Sequence, residues 1–172
     1  MQVSVSRRIS LPAEDVWPHL ADFSGIARFH PFVETVDQLS EQNEGVGARR
    51  KCNFYDGKSV VERVLEWEPG RRQKIELSEM PMPMKRAVAE FTVTPRGDRD
   101  TEVSITMFFT PKFGPLGALM GVLMMKPMMR KIFAQVLQGL EHHARTGEII
   151  GRDGVPVAKG ASKDSEERPA TA

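Results

Sequence analysis

The sequence predicts an α+β fold in which a curved antiparallel sheet wraps around a long C-terminal helix, with two short helices after the first strand. Three observations predict it. Strand-length segments of alternating polarity follow one another through tight-turn signals, which makes a meander. From Pro115 to about Thr146 the apolar period changes to that of a helix. Between the first two strands lie the proline and cap signals of short helices. A meander with one apolar face must cover that face, and the C-terminal helix is the element large enough to do so.

Each element can be justified in order. Gln2 to Ile9 alternates, with Val3, Val5 and Ile9 on one face, until Pro12 stops it. Ala13 to Leu20 reads as a short helix with Val16, Trp17 and Leu20 on one side. Asp22 to Phe29 reads as a second helical turn capped by Asp22 or Ser24, and His30-Pro31 ends it. Strands follow at Phe32 to Ser40, Ala48 to Tyr55, Ser59 to Trp67, Gln73 to Ser78, Arg86 to Thr94 and Glu102 to Thr110. Asp56-Gly57, Pro69-Gly70 and Gly97-Asp98 supply turns between them. Gly147 is placed to cap the long helix.

The 172 residues suit one domain with a real core. Residues 1–147 are expected to form it, and the polar residues 148–172 a disordered tail. A net charge of +1 with mixed signs argues against nucleic acid. The lone Cys52 cannot form an internal disulfide, and the N-terminus MQVSVSRRIS carries no apolar leader, so a cytoplasmic location is predicted. The longest apolar run, Phe113 to Met125, falls short of the roughly 20 residues that span a bilayer.

Three local pieces carry a resemblance. The first is Ile9-Ser10-Leu11-Pro12-Ala13-Glu14-Asp15-Val16-Trp17, followed by Leu20-Ala21-Asp22-Phe23 and His30-Pro31. The second is Gly45-Val46-Gly47-Ala48-Arg49-Arg50, then Asp56-Gly57, then Glu62-Arg63-Val64. The third is Leu137-Gln138-Gly139-Leu140-Glu141. In this order they resemble the SRPBCC superfamily, which includes START lipid-transfer domains, the birch-pollen allergen group and bacterial polyketide cyclase/dehydrase-like proteins. The resemblance runs to about residue 147 and implies a helix-grip fold. It also implies a cavity between sheet and helix that takes lipids, quinones, steroids or polyketides in different members. The fold hosts transporters, sensors, regulators and a few enzymes, so it does not fix a function.

Alternation predicts which side chains face that cavity. Arg50, Cys52 and Phe54 form the more apolar phase of their strand. In the next strand the phase of Val60, Glu62, Val64 and Glu66 nearly ties with that of Val61, Arg63, Leu65 and Trp67. Composition chooses the second phase, whereas the resemblance points Glu62 inward. Two roles stay open for Arg50 and Glu62: an interior pair anchoring the polar end of a ligand, or a rim salt bridge worth little. Phe91, Ile105, Met107 and Phe109 are expected inward on later strands. Met80, Met82 and Met84 lie in a proline-containing connection, as core fillers or as a gate to the cavity.

On the long helix, Val122, Met125, Met129, Ile132, Phe133, Val136, Leu137 and Leu140 share one broad face that should grip the sheet. A second stripe of Leu116, Leu119, Met120, Leu123 and Met124 lies opposite, so the first half is apolar all round. Such a helix is buried, or contacts a membrane or another chain. Pro127 should kink it and could turn the second stripe over the cavity mouth. Phe113 to Met125 is thereby read as a mobile entrance element, able to make a peripheral membrane contact or a homodimer.

No catalytic signature is present. His19, His30, His142 and His143 lack metal-site spacing, and Cys52 has no base beside it in sequence. Arg50, Tyr55, Glu62 and His30 are the residues an enzyme reading could use, and no metal or cofactor is implied. Binding or transport of a hydrophobic small molecule ranks first. A polyketide cyclase/dehydratase-like enzyme ranks second, and a docking module using the Leu/Met-rich helix third.

Overall fold

The computed structural model describes residues 1–81, 84–112 and 114–157. Its main sheet holds β1 (Gln2–Ile9), β2 (Val33–Gln38), β3 (Arg49–Phe54), β4 (Ser59–Glu68), β5 (Arg72–Ser78), β6 (Met84–Gly97) and β7 (Asp100–Pro111). The strand order is β1-β7-β6-β5-β4-β3-β2, with every neighbouring pair antiparallel. β2 to β7 run as a meander, and the N-terminal strand closes the sheet against its last strand. The curved sheet and long C-terminal helix make the helix-grip arrangement.

Between β1 and β2 lie α1 (Ala13–Ala21) and a 3₁₀ segment, Phe23–Arg28. The expected cap role of Asp22 is not what its side chain does. Its carboxylate accepts from Arg28 Nη1 at 2.8 Å and from Asn43 Nδ2 at 2.6 Å, tying the short helices to the loop before β3.

The C-terminal helix comprises α2 (Gly114–Met120), a wide π turn at Gly121–Met125, and α3 (Lys126–Thr146). Pro127 has no N–H for the carbonyl four residues earlier, and its ring crowds that carbonyl. The wide turn directly precedes it and accommodates the defect with one extra residue, so the helix continues. Gly147 takes the left-handed conformation at φ 72° and donates to the His143 carbonyl at 2.8 Å, which ends α3 as its sequence position predicts.

α3 packs mainly on β1, and Arg7 of β1 meets Glu141 of α3 at 2.5 Å. Met129, Phe133, Val136, Leu137 and Leu140 are buried in one cluster with Val3, Ile9, Met107 and Phe109 from the sheet. The ordered structure does not stop at residue 147. β8 (Ile149–Ile150) and β9 (Pro156–Val157) form a small hairpin whose Ile150 and Val157 are buried. Those two side chains give residues 148–157 apolar anchors that the segment's overall polarity hides, so the expected tail boundary moves. Residues 158–172 lie outside the described residues.

Candidate functional site

The phase tie in β4 is resolved by a bulge. Val64 pairs with Ile75 and Glu66 with Lys74, so Leu65 is the extra residue and the two faces exchange there. Before the bulge Val60, Glu62 and Val64 face inward. After it Trp67 does, with its ring edge-on to Trp17 at a centroid distance of 5.2 Å. Both apolar phases are therefore used, each on its own side of Leu65.

The inward phase of β3 places Arg50 directly opposite Glu62. Arg50 Nε donates to Glu62 Oε2 at 2.6 Å, and Nη2 reaches the same oxygen at 2.5 Å. Arg50 Nη1 donates to the Phe23 carbonyl, and the guanidinium lies over the Phe23 ring, 3.8 Å from its centroid. The side chains are only 4% and 12% exposed. This is a buried, hydrogen-bonded pair and not a rim salt bridge, the arrangement a low-dielectric interior requires. Cys52 Sγ is 3.6 Å from Glu62 Oε2. Burial, reinforced by the Glu62 carboxylate, pushes the Cys52 thiol far above its ordinary pKa, so it is held as an unreactive thiol.

Around the pair the inner face is apolar. Met84, Phe91, Ile105, Met107, Phe109, Met125, Met129 and Phe133 are buried in the core cluster, and Phe54 and Met80 are half-buried against it. Met82 lies outside the described residues. Val122 is a correction: it is 48% exposed, because the extra residue of the π turn rotates it off the face that carries Met125 and Met129. For the same reason Pro127 does not turn the second stripe inward. Leu116, Leu119, Met120, Leu123 and Met124 are all exposed. Phe113, the first residue of the expected entrance element, lies outside the described residues.

The other residues considered for catalysis sit elsewhere. His30 Nδ1 accepts from the Phe32 N–H at 3.3 Å, and Tyr55 stacks under the Arg152 guanidinium at 5.7 Å. Both border Phe32, away from Arg50 and Glu62. His19 is half-buried with its ring edge-on to buried His143 at 4.9 Å.

Two inward groups escaped the sequence reading. Phe23 supplies both a carbonyl and a ring to Arg50, from a 3₁₀ turn whose orientation no periodicity encodes. Gln73 is buried on the inner face of β5 with Nε2 donating to the Leu20 carbonyl at 3.2 Å, while Oε1 accepts nothing from the described residues. Strict alternation with Ile75 was the signal for Gln73. On the outer face of the sheet a separate concavity of about 480 Å³ opens over Leu65, Val88 and Phe108, rimmed by Lys74 and Arg86.

The fold recurs among solved structures. An uncharacterised protein of Bacillus thuringiensis superposes with a TM-score of 0.69 at 18% identity, over 84% of this chain and 99% of that one. A Thermobifida fusca protein solved in solution gives 0.67 at 29% identity, over 83% and 92%. The Zhui aromatase/cyclase of Streptomyces gives 0.65 at 18% identity, over 90% and 99%. No curated protein matches the chain in sequence. A family model described as polyketide cyclase / dehydrase and lipid transport matches residues 1–145, and the chain belongs to that family.

Proposed function

We propose that the protein binds and carries a hydrophobic small molecule, lipid-, quinone- or polyketide-like, between the inner face of the sheet and the C-terminal helix. The observation that carries this reading is one buried ion pair, Arg50–Glu62, set in a largely apolar inner face, with buried Gln73 as a further polar group. An apolar wall with a few fixed polar groups is how a pocket both holds and orients such a ligand. Phe91, Ile105, Met107, Phe109, Met125, Met129 and Phe133 supply the wall. The exposed Leu/Met face of the helix is the surface through which the protein meets a donor or acceptor of the ligand. A buried lone cysteine fits a reducing, cytoplasmic setting.

A second reading, a cyclase- or dehydratase-like enzyme, is favoured by the convergence of Arg50, Glu62 and Cys52 on one interior point. General acid–base work needs a group within reach of the reacting atom, and Arg50 is already committed to Glu62 and to the Phe23 carbonyl.

Native mass spectrometry of freshly purified protein, followed by solvent extraction, tests the proposal. The expected result is a co-purifying apolar molecule that is lost, or exchanged for one without a polar end, in Arg50→Met/Glu62→Leu. A bare protein that also fails to take up anilinonaphthalene sulfonate would overturn carriage. Turnover of an extracted polyketide by the wild type, abolished in the double variant, would replace it with the enzyme reading.

A further inference from the structure

Twelve large hydrophobic side chains are exposed among the described residues, and seven of them fall between Leu116 and Met128. They are Leu116, Leu119, Met120, Val122, Leu123, Met124 and Met128, with Leu116, Leu123 and Met124 each about two-thirds exposed. The cause is structural. The wide turn at Gly121–Met125 keeps Met125 and Met129 on the core, so the remaining apolar positions of this all-round hydrophobic stretch have nowhere to go but outward. Contiguous apolar surface of this kind marks a contact site.

The charge around it selects the partner. From Val103 to Leu140 the sequence holds no acidic residue, whereas it holds Lys112, Lys126, Arg130 and Lys131. Lys112, Arg130 and Lys131 are exposed and Lys126 half-buried, and none has a carboxylate partner among the described residues. Met84 pairs with Pro111, which sets exposed Lys85 beside the same end of the sheet. A second copy docked through this face in a two-fold contact would set these cations against their own images, with no carboxylate between Val103 and Leu140 to neutralise them. A surface of anionic lipid offers what the patch lacks: negative headgroups for the lysines and arginines, and an acyl boundary for the leucines and methionines.

We infer that α2, the wide turn and the first turns of α3 form a peripheral docking face for anionic membranes, lying in the interface plane. Spanning is not involved, since among the described residues no helix is long and apolar enough to cross a bilayer. The inference rests on reading this helix as the contact face and does not depend on what the interior holds.

Co-flotation of the full chain with phosphatidylcholine vesicles, with and without phosphatidylserine, tests it. Wild-type protein should float with the phosphatidylserine vesicles, and the bound fraction should fall as salt is raised. Leu119→Asp/Leu123→Asp should lower binding about tenfold or more. Arg130→Glu/Lys131→Glu should remove the preference for phosphatidylserine. All four positions are exposed, so the thermal midpoints should stay close to wild type and confirm that the fold is intact. Absence of flotation, or equal flotation of wild type and both variants, would overturn the inference. So would a concentration-dependent dimer in light scattering, lost in the leucine variant, with no vesicle binding. Ligand retention in native mass spectrometry reads out separately, so the failure of one reading is distinguishable from the failure of the other.

Discussion

Arg50 and Glu62 occupy directly opposed positions on β3 and β4, and two guanidinium nitrogens converge at 2.5 and 2.6 Å on a single carboxylate oxygen inside the sheet. Removing either partner strands a charge in an apolar interior, which costs about 3–5 kcal/mol. Arg50→Met and Glu62→Leu, made singly, should therefore each lower the urea unfolding free energy by that order. Made together they should recover most of the loss, because two apolar side chains of similar size can pack where the pair sat. A double variant as unstable as the sum of the singles would show that the pair does not act as a unit.

At Gly139, α3 packs against the backbone of Phe29, the residue that ends the 3₁₀ segment. A Cβ built there would lie 2.1 Å from the Phe29 carbonyl oxygen, a backbone atom that cannot swing aside. Gly→Ala inside a helix ordinarily gains up to about 1 kcal/mol. Here the steric clash reverses the sign, and Gly139→Ala should destabilise by about 1–3 kcal/mol through forced separation of α3 from residues around Phe29. Thermal denaturation of Gly139→Ala beside the wild type reads the sign of the effect directly. A Gly139→Ala variant of raised midpoint would contradict the packing argument.

Local patterning made most of this fold legible. Strand-length segments set off by turn signals located the strands of the main sheet, and alternation gave the inner face of β1, β3, β6 and β7, because a half-buried strand writes its burial with a period of two. The change to a helical period located the long helix, and Gly147 its end. The site was legible on β3, on β7 and on Ala87 to Val93 of β6, where alternation holds, and illegible where one residue is inserted. The bulge at Leu65 makes the two phases of β4 tie, and the π turn before Pro127 carries Val122 out of its expected face. An insertion changes phase without leaving a compositional mark. Phe23 was hidden for another reason: its tie to Arg50 comes from a 3₁₀ turn brought against β3 by tertiary packing. The hairpin after Gly147 was hidden because only two of its side chains, Ile150 and Val157, are buried, too few to stand out from the polar, Gly- and Pro-containing sequence that follows.

That hairpin should contribute to stability. Ile150 is almost wholly buried, and Gly151 and Val155 are joined by a backbone hydrogen bond of 2.7 Å that closes the turn. The Asp153 N–H also donates to the Pro31 carbonyl at 3.2 Å, fastening the hairpin to the body of the domain. Ile150→Ala should cost about 2–4 kcal/mol. A chain ended at Gly147 should be less stable still, whereas one ended after Val157 should unfold close to the full-length protein. Equal urea midpoints for the two truncations would show that residues 148–157 only lie on the surface.

His19 of α1 and His143 of α3 join the same region to pH. Their rings meet edge-on at 4.9 Å, and His143 Nδ1 donates to the Glu148 carbonyl at 2.7 Å, just before the hairpin. His19 titrates below its ordinary value of 6.5, first because burial disfavours its cation, then because His143 and Arg28 repel it, with Asp22 and Asp15 offsetting part of the effect. The sign follows directly. The unfolded chain protonates His19 near 6.5 and the folded chain only at lower pH, so between those values the unfolded state holds more protons. The contribution is fully present above about pH 6.5, declines as pH falls through that window, and levels off once folded His19 is protonated as well. Urea midpoints measured from about pH 7.5 to about pH 5 should show this decline, and His19→Gln should flatten it while leaving stability at the alkaline end nearly unchanged. An unaltered slope in His19→Gln would assign the acid sensitivity to other groups and leave the α1–α3 contact insensitive to protons.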